Sequence, residues 1–104
     1  MSVLMTLRVA GDATKLEKFA ADDPAMLDGI IKRAKERGLI SHRFWKTDTE
    51  VLVVDEWPTE EAFQGFFDST PEIQQMMQAA GVTTHPEVTF WHPADIDDVY
   101  PPAK

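Results

Sequence analysis

Three residues, Asp48-Thr49-Glu50, separate two strand-like runs, Leu39 to Thr47 and Val51 to Trp57. A connection that short turns the second run back alongside the first, so the two are antiparallel neighbours. This hairpin lies mid-chain, and on each side of it come a helical stretch and one more strand. Upstream, Val3, Met5, Leu7 and Val9 alternate with Leu4, Thr6 and Arg8, which predicts a strand with one wholly apolar face and one mixed face, ended by Gly11. Downstream, Glu87 to His92 reads as the last strand.

The stretches between carry helix signals. Asp12 is placed to cap a helix from Ala13, and Leu16, Phe19 and Ala20 have helical spacing. Asp22-Asp23-Pro24 interrupts and restarts it, after which Leu27, Ile30, Ile31 and Ala34 share one face and Gly38 marks the end. The pattern predicts one kinked helix, or two in tandem, over Ala13 to Arg37. Beyond the hairpin, Thr59 caps a helix whose first turn holds Glu60 and Glu61 and whose stripe is Ala62, Phe63, Phe66 and Phe67. Thr70-Pro71-Glu72 predicts a restart by the same cap-and-proline device, with Ile73, Met76, Met77 and Ala80 buried and Gly81 as the stop.

The order is therefore β-α-β-β-α-β, an α+β chain. Two β-α-β halves with right-handed crossovers give a four-stranded antiparallel sheet with helices on one face, the ferredoxin-like arrangement. Residues 1–93 form this domain and residues 94–104 a polar, Pro-rich tail over the surface or over a neighbouring subunit; 104 residues leave no room for a second ordinary domain. The uncovered sheet face keeps Leu4, hairpin aromatics and either Phe90 or Trp91. A second copy packed face to face, a homodimer, is the simplest cover for such a patch.

Composition removes several classes of function. A net charge of -8 argues against nucleic acid and against an anionic membrane surface, since both need a basic face. The absence of cysteine excludes disulfides and thiolate metal sites. His42, His85 and His92 have no metal-motif spacing, so no metal site is expected. The N-terminal run has neither a basic leader nor a small-residue cleavage site, and no apolar run approaches the roughly 20 residues that span a bilayer. A cytoplasmic location is the expectation.

The segment Val51-Leu52-Val53-Val54-Asp55-Glu56-Trp57-Pro58-Thr59-Glu60-Glu61-Ala62-Phe63 carries a family resemblance. A hydrophobic strand, an acidic residue, an aromatic two positions on, and a capped helix opening with acidic residues and Ala resemble the antibiotic biosynthesis monooxygenase-like (ABM-like) branch of the dimeric α+β barrel superfamily. Asp55, Trp57, Thr59 and Ala62 hold those places, and the element order fits from about residue 3 to residue 92. Gly38 to Trp45 is similar to the second strand of small proteins of that superfamily. The resemblance implies a homodimer whose sheets close into a barrel, with a pocket between sheet and helices or inside the barrel. It implies no cofactor, because some members are cofactor-free oxygenases of polycyclic aromatic substrates; others degrade haem, or isomerise or dehydrate small rings. Two positions depart from the pattern. Many members carry His where this chain has Phe66, and haem degraders need an Asn on the first strand, where Thr6 and Arg8 are the polar residues here. Haem degradation is disfavoured.

The candidate chemistry centres on the strands. His42 and Arg43 are neighbours, so they point to opposite faces and only one enters a barrel interior. His42 there would be a general base and Arg43 there would hold an anion; otherwise both are edge or interface residues. Arg8 is a ligand anchor, or half of a structural ion pair with Asp55 or Glu56. Trp45, Trp57 and Trp91, with Asp55, line a flat aromatic pocket or serve as packing. The reading these support is a small-molecule-pocket protein resembling cofactor-independent monooxygenases, acting on an aromatic or polyketide-like phenol. Its rivals are a non-catalytic homodimeric module that binds a small hydrophobic molecule or a partner, and an isomerase or dehydratase of small rings.

Overall fold

A computed structural model describes residues 2 to 102; the last two tail residues, Ala103 and Lys104, lie outside them, as does Met1. Eight elements follow the expected order: β1 (Val3–Ala10), α1 (Ala13–Asp22), α2 (Pro24–Glu36), β2 (Ser41–Lys46), β3 (Glu50–Trp57), α3 (Glu60–Asp68), α4 (Glu72–Ala79) and β4 (Glu87–Trp91). The strands form one four-stranded antiparallel sheet in the order β2-β3-β1-β4. This is the ferredoxin-like α+β architecture. Residues 94 to 102, beyond the last strand, contain no helix or strand.

Local chemistry sets the boundaries. Asp12 caps α1 by accepting the Thr14 amide at 2.9 Å. The stretch that follows is two helices, not one, because Pro24 cannot continue the first. Asp23 ends α1, and its side chain accepts the Met26 amide to start α2. Gly38 follows the α2 cap at φ 97°, a conformation that a β-carbon disfavours. Thr59 caps α3 through the Ala62 amide at 3.1 Å. The expected cap of α4 is not made. The Thr70 hydroxyl turns back to the Phe66 carbonyl at 2.7 Å, and Pro71 takes the N-cap place without a side-chain bond. Buried Thr70 needs a partner for its hydroxyl, and the Phe66 carbonyl in the last turn of α3, which also accepts the Ser69 amide, supplies one.

Strand alternation decides which side chains meet the helices. On β1 the odd residues Val3, Met5, Leu7 and Val9 are all buried beneath them. On β3 the same side receives Val51, Val53, Asp55 and Trp57, and on β2 it receives His42, Phe44 and Lys46. Helices contribute Leu16, Ile30, Ala34, Phe63, Phe66 and Ile73 to the core. Each fully buried Leu, Val or Phe contributes about 1.5–3 kcal/mol relative to leaving it in water. The alternate residues, including Leu4, Thr6, Arg8, Arg43, Trp45 and Trp91, lie on the uncovered face.

Candidate functional site

The centre of the covered face is polar at one point. Asp55 is 5% exposed, on a strand face otherwise made of Val and Trp, and both its oxygens are bonded. Oδ1 lies 2.6 Å from Nδ1 of His42, its direct cross-strand partner, and Oδ2 accepts the Trp57 indole N–H at 3.2 Å. Trp57 is wholly buried, its ring held by Phe66 at 5.4 Å and Phe63 at 5.8 Å between centroids. A buried carboxylate without such donors would cost several kcal/mol. With Asp55 ionised it can only accept, so the His42 proton sits on Nδ1 and a neutral ring carries its lone pair on Nε2. The imidazole, its side chain 29% exposed, stands edge-on to Phe44 with centroids 5.0 Å apart. Strand pairing, carboxylate and aromatic neighbour together fix the ring.

Beside this dyad, sheet and helices line a half-open cavity of about 310 Å³. Leu16, Ile31, Phe67 and Met77 wall it on the helix side, Leu7 and Phe44 on the sheet side. Its ionisable lining residues are His42, Asp55 and, from α2, the exposed Asp28. That is the composition of a small-molecule site, apolar with a few polar groups to orient what enters. An imidazole oriented by a carboxylate, with its second ring nitrogen free, has the arrangement of a general base.

The structure separates the candidate residues into two groups. His42, Asp55 and Trp57 come together under the helices. Arg43 points the other way, its guanidinium carbon 5.3 Å from the centre of the Trp45 ring. Arg8 pairs with neither Asp55 nor Glu56. It bridges Glu87 at 2.9 Å and Glu50 at 3.6 Å, because Asp55 belongs to the opposite face and Glu50 and Glu87 flank Arg8 on its own. The three tryptophans do not line one pocket. Trp57 lies in the core, while Trp45 and Trp91 sit on edge strands of the uncovered face, Trp91 donating to the Thr6 hydroxyl at 2.8 Å. Met76 and Met77 both line the cavity. His92 lies 3.6 Å from Glu60 on the surface, and among the described residues no three His, Cys, Asp or Glu side chains converge as a metal site would need. Phe66 fills the core against Trp57, and the imidazole beside Asp55 comes from β2.

The pairing of His42 with Asp55 was open in the sequence. Its signal is the hairpin register. The Thr47 hydroxyl accepts the amides of Thr49 and Glu50, tightening the turn so that Lys46, not Thr47, pairs with Val51. Counting back from that pair places His42 opposite Asp55.

No family model matches the sequence, and no curated protein does. Solved structures do match. The cofactor-independent oxygenase SnoaB of Streptomyces nogalater is 14% identical, with a TM-score of 0.62, over 97% of this chain and 98% of that one. A monooxygenase from ActVA-Orf6 of Streptomyces coelicolor, solved with nanaomycin D, is 23% identical with a TM-score of 0.55, over 91% and 88%. A dimeric ferredoxin-like protein from an uncultured marine organism is 18% identical with a TM-score of 0.61, over 93% of each chain. This chain therefore has the fold of the antibiotic biosynthesis monooxygenase-like proteins.

Proposed function

We propose that the chain is a homodimeric, cofactor-independent monooxygenase of a phenolic aromatic, with His42 as the base and Asp55 as the residue that orients it. The observation that carries this reading is the 2.6 Å contact between His42 Nδ1 and the buried Asp55, at the edge of an apolar cavity. The fold shared with a cofactor-independent oxygenase supports the reaction class. The fold shared with a dimeric ferredoxin-like protein, and the exposed Leu4, Trp45 and Trp91 on the uncovered face, support the dimer.

His42 Nε2 takes the phenol proton, and the charge spreads to the ring carbon para to the oxygen. That carbon bonds to one end of O2, and the other oxygen takes the proton back from His42. The hydroperoxide then loses water, made from its terminal OH and the hydrogen on the same carbon, and leaves a quinone carbonyl. One oxygen atom stays on the product and the other departs as water. His42 returns to its starting form. Arg8 and Arg43, which the sequence offered as anion holders, lie on the other side of the sheet, so the imidazolium itself balances the phenolate.

His42→Gln removes the base and keeps much of the shape. Oxygen uptake on a phenolic substrate should fall about 10²–10⁴-fold with the dimer intact. Undiminished uptake in the variant would remove His42 from the chemistry. A second reading, a carrier that binds such a molecule without reacting, is favoured by one observation: among the described residues no Lys or Arg lines the cavity. Ligand binding by the parent protein without oxygen consumption would establish the carrier. Turnover without oxygen would point instead to an isomerase or dehydratase.

A further inference from the structure

The charges around the cavity are one-sided. Among the described residues its ionisable lining groups are two carboxylates, Asp28 and Asp55, and one imidazole, His42. When protonated, His42 is already matched by Asp55 at 2.6 Å. Two basic residues of the flanking elements are held in ion pairs. Lys46, on the same strand face as His42, is held by both oxygens of Glu17 at 3.0 and 3.1 Å. Arg33 of α2 is bound to Glu72. Arg8 and Arg43 project from the opposite face of the sheet.

A carboxylate entering this space would lose hydration, meet no Lys or Arg among the described lining residues and face Asp28 and Asp55. A neutral hydroxyl meets one acceptor suited to it, the free Nε2 of His42. We propose that the cavity selects uncharged hydroxyaromatic molecules and turns away carboxylated ones of the same shape. This rests on the reading of the cavity as a ligand site. The chain's net charge of -8 acts in the same direction at longer range.

Matched probes test it. A cavity of about 310 Å³ is at the lower end of ligand pockets, so two-ring probes suit it. The set is naphthol, a hydroxynaphthoate and the methyl ester of that acid, each titrated into the full-length protein while the imidazole resonances are followed by NMR. Naphthol and the ester are expected to bind and shift the His42 resonances, and the carboxylate to bind at least about tenfold more weakly than its ester. The ester is the bulkier of that pair, so the difference would report charge and not size. A carboxylate that binds as tightly as its ester and shifts His42 would overturn the charge selection and leave the cavity as a ligand site. Failure of all three to bind, or binding that leaves His42 unmoved, would overturn both.

Discussion

The two faces of the sheet are built from alternate residues of the same strands, and they answer to different constraints. Under the helices, the buried carboxylate finds its partners inside the chain: Asp55 takes two donors, and Phe63 and Phe66 pack against the ring of one of them, Trp57. On the other face, Leu4, Trp45 and Trp91 remain 40%, 54% and 52% exposed beside the half-exposed Arg8 with its two glutamates. The covered face is finished by this chain's own helices. The uncovered one has the makings of an interface, apolar side chains between ion pairs, and would be finished by a second copy. Stability should therefore be concentrated on one side of the sheet and association on the other.

Trp57→Ala gives the largest test of that division. It removes the most buried large side chain and also the donor to Asp55 Oδ2. Unfolding by denaturant should show a loss of about 3–5 kcal/mol. A loss below about 1 kcal/mol would mean that the aromatic cluster is not what closes the covered face. The mirror experiment is Trp45→Ser with Trp91→Ser. Each tryptophan, as an interface anchor, is expected to contribute about 2 kcal/mol to association, so light scattering should show the dimer giving way to monomer while each chain stays folded. A parent protein that is already monomeric would break the comparison at its root.

How much of this was legible in the sequence follows from the same division. The element order and the cap residues Asp12 and Thr59 could be read, and the cap of α2 narrowed to Asp22 or Asp23, because each depends on neighbours within a few positions. The buried face of β1 could be read from alternation alone. Three features could not. The role of Thr70 depends on whether its hydroxyl finds the Phe66 carbonyl, a choice set by how α3 ends. Arg8 sits on the face that the alternation gave it, yet its partner depends on the register with β3 and β4, which offers Glu50 and Glu87 in place of Glu56 or Asp55. His42 and Arg43 differ by one position, and a one-residue slip of the hairpin would have set Glu56, not Asp55, opposite His42. The residues of the site and the hairpin were visible; the register that pairs them was not.

A smaller test separates the faces by their ion pairs. In the monomeric double-serine background, Arg8→Ala should cost under about 1 kcal/mol, since Arg8 and its partners are then open to water. In the proposed dimer the same change should cost more, because partner burial would leave Glu50 and Glu87 without their cation. Equal losses in both backgrounds would mean that Arg8 is not covered by the second copy.

The smallest effect belongs to Arg33 and Glu72, which join α2 to α4 on the covered side by two parallel bonds of 2.7 and 2.8 Å. The hydrogen bonds from Arg33, and then the backbone bond at the start of α4, hold the Glu72 carboxyl below its ordinary value of 4.5. A carboxyl with a depressed value in the folded chain binds its proton more readily in the unfolded chain. The contribution of this pair is therefore fully present above 4.5 and is lost as pH falls through the lower folded value. Glu72→Gln removes that charge. The melting temperatures of parent and variant should differ near neutral pH, and the gap should close as acid protonates Glu72 in the parent. The pair is solvent-accessible, so the gap should also shrink in high salt. A gap that persists unchanged into acid would assign the effect of the substitution to packing at the α2–α4 contact. In that case the helices would be held over the cavity by shape and not by charge.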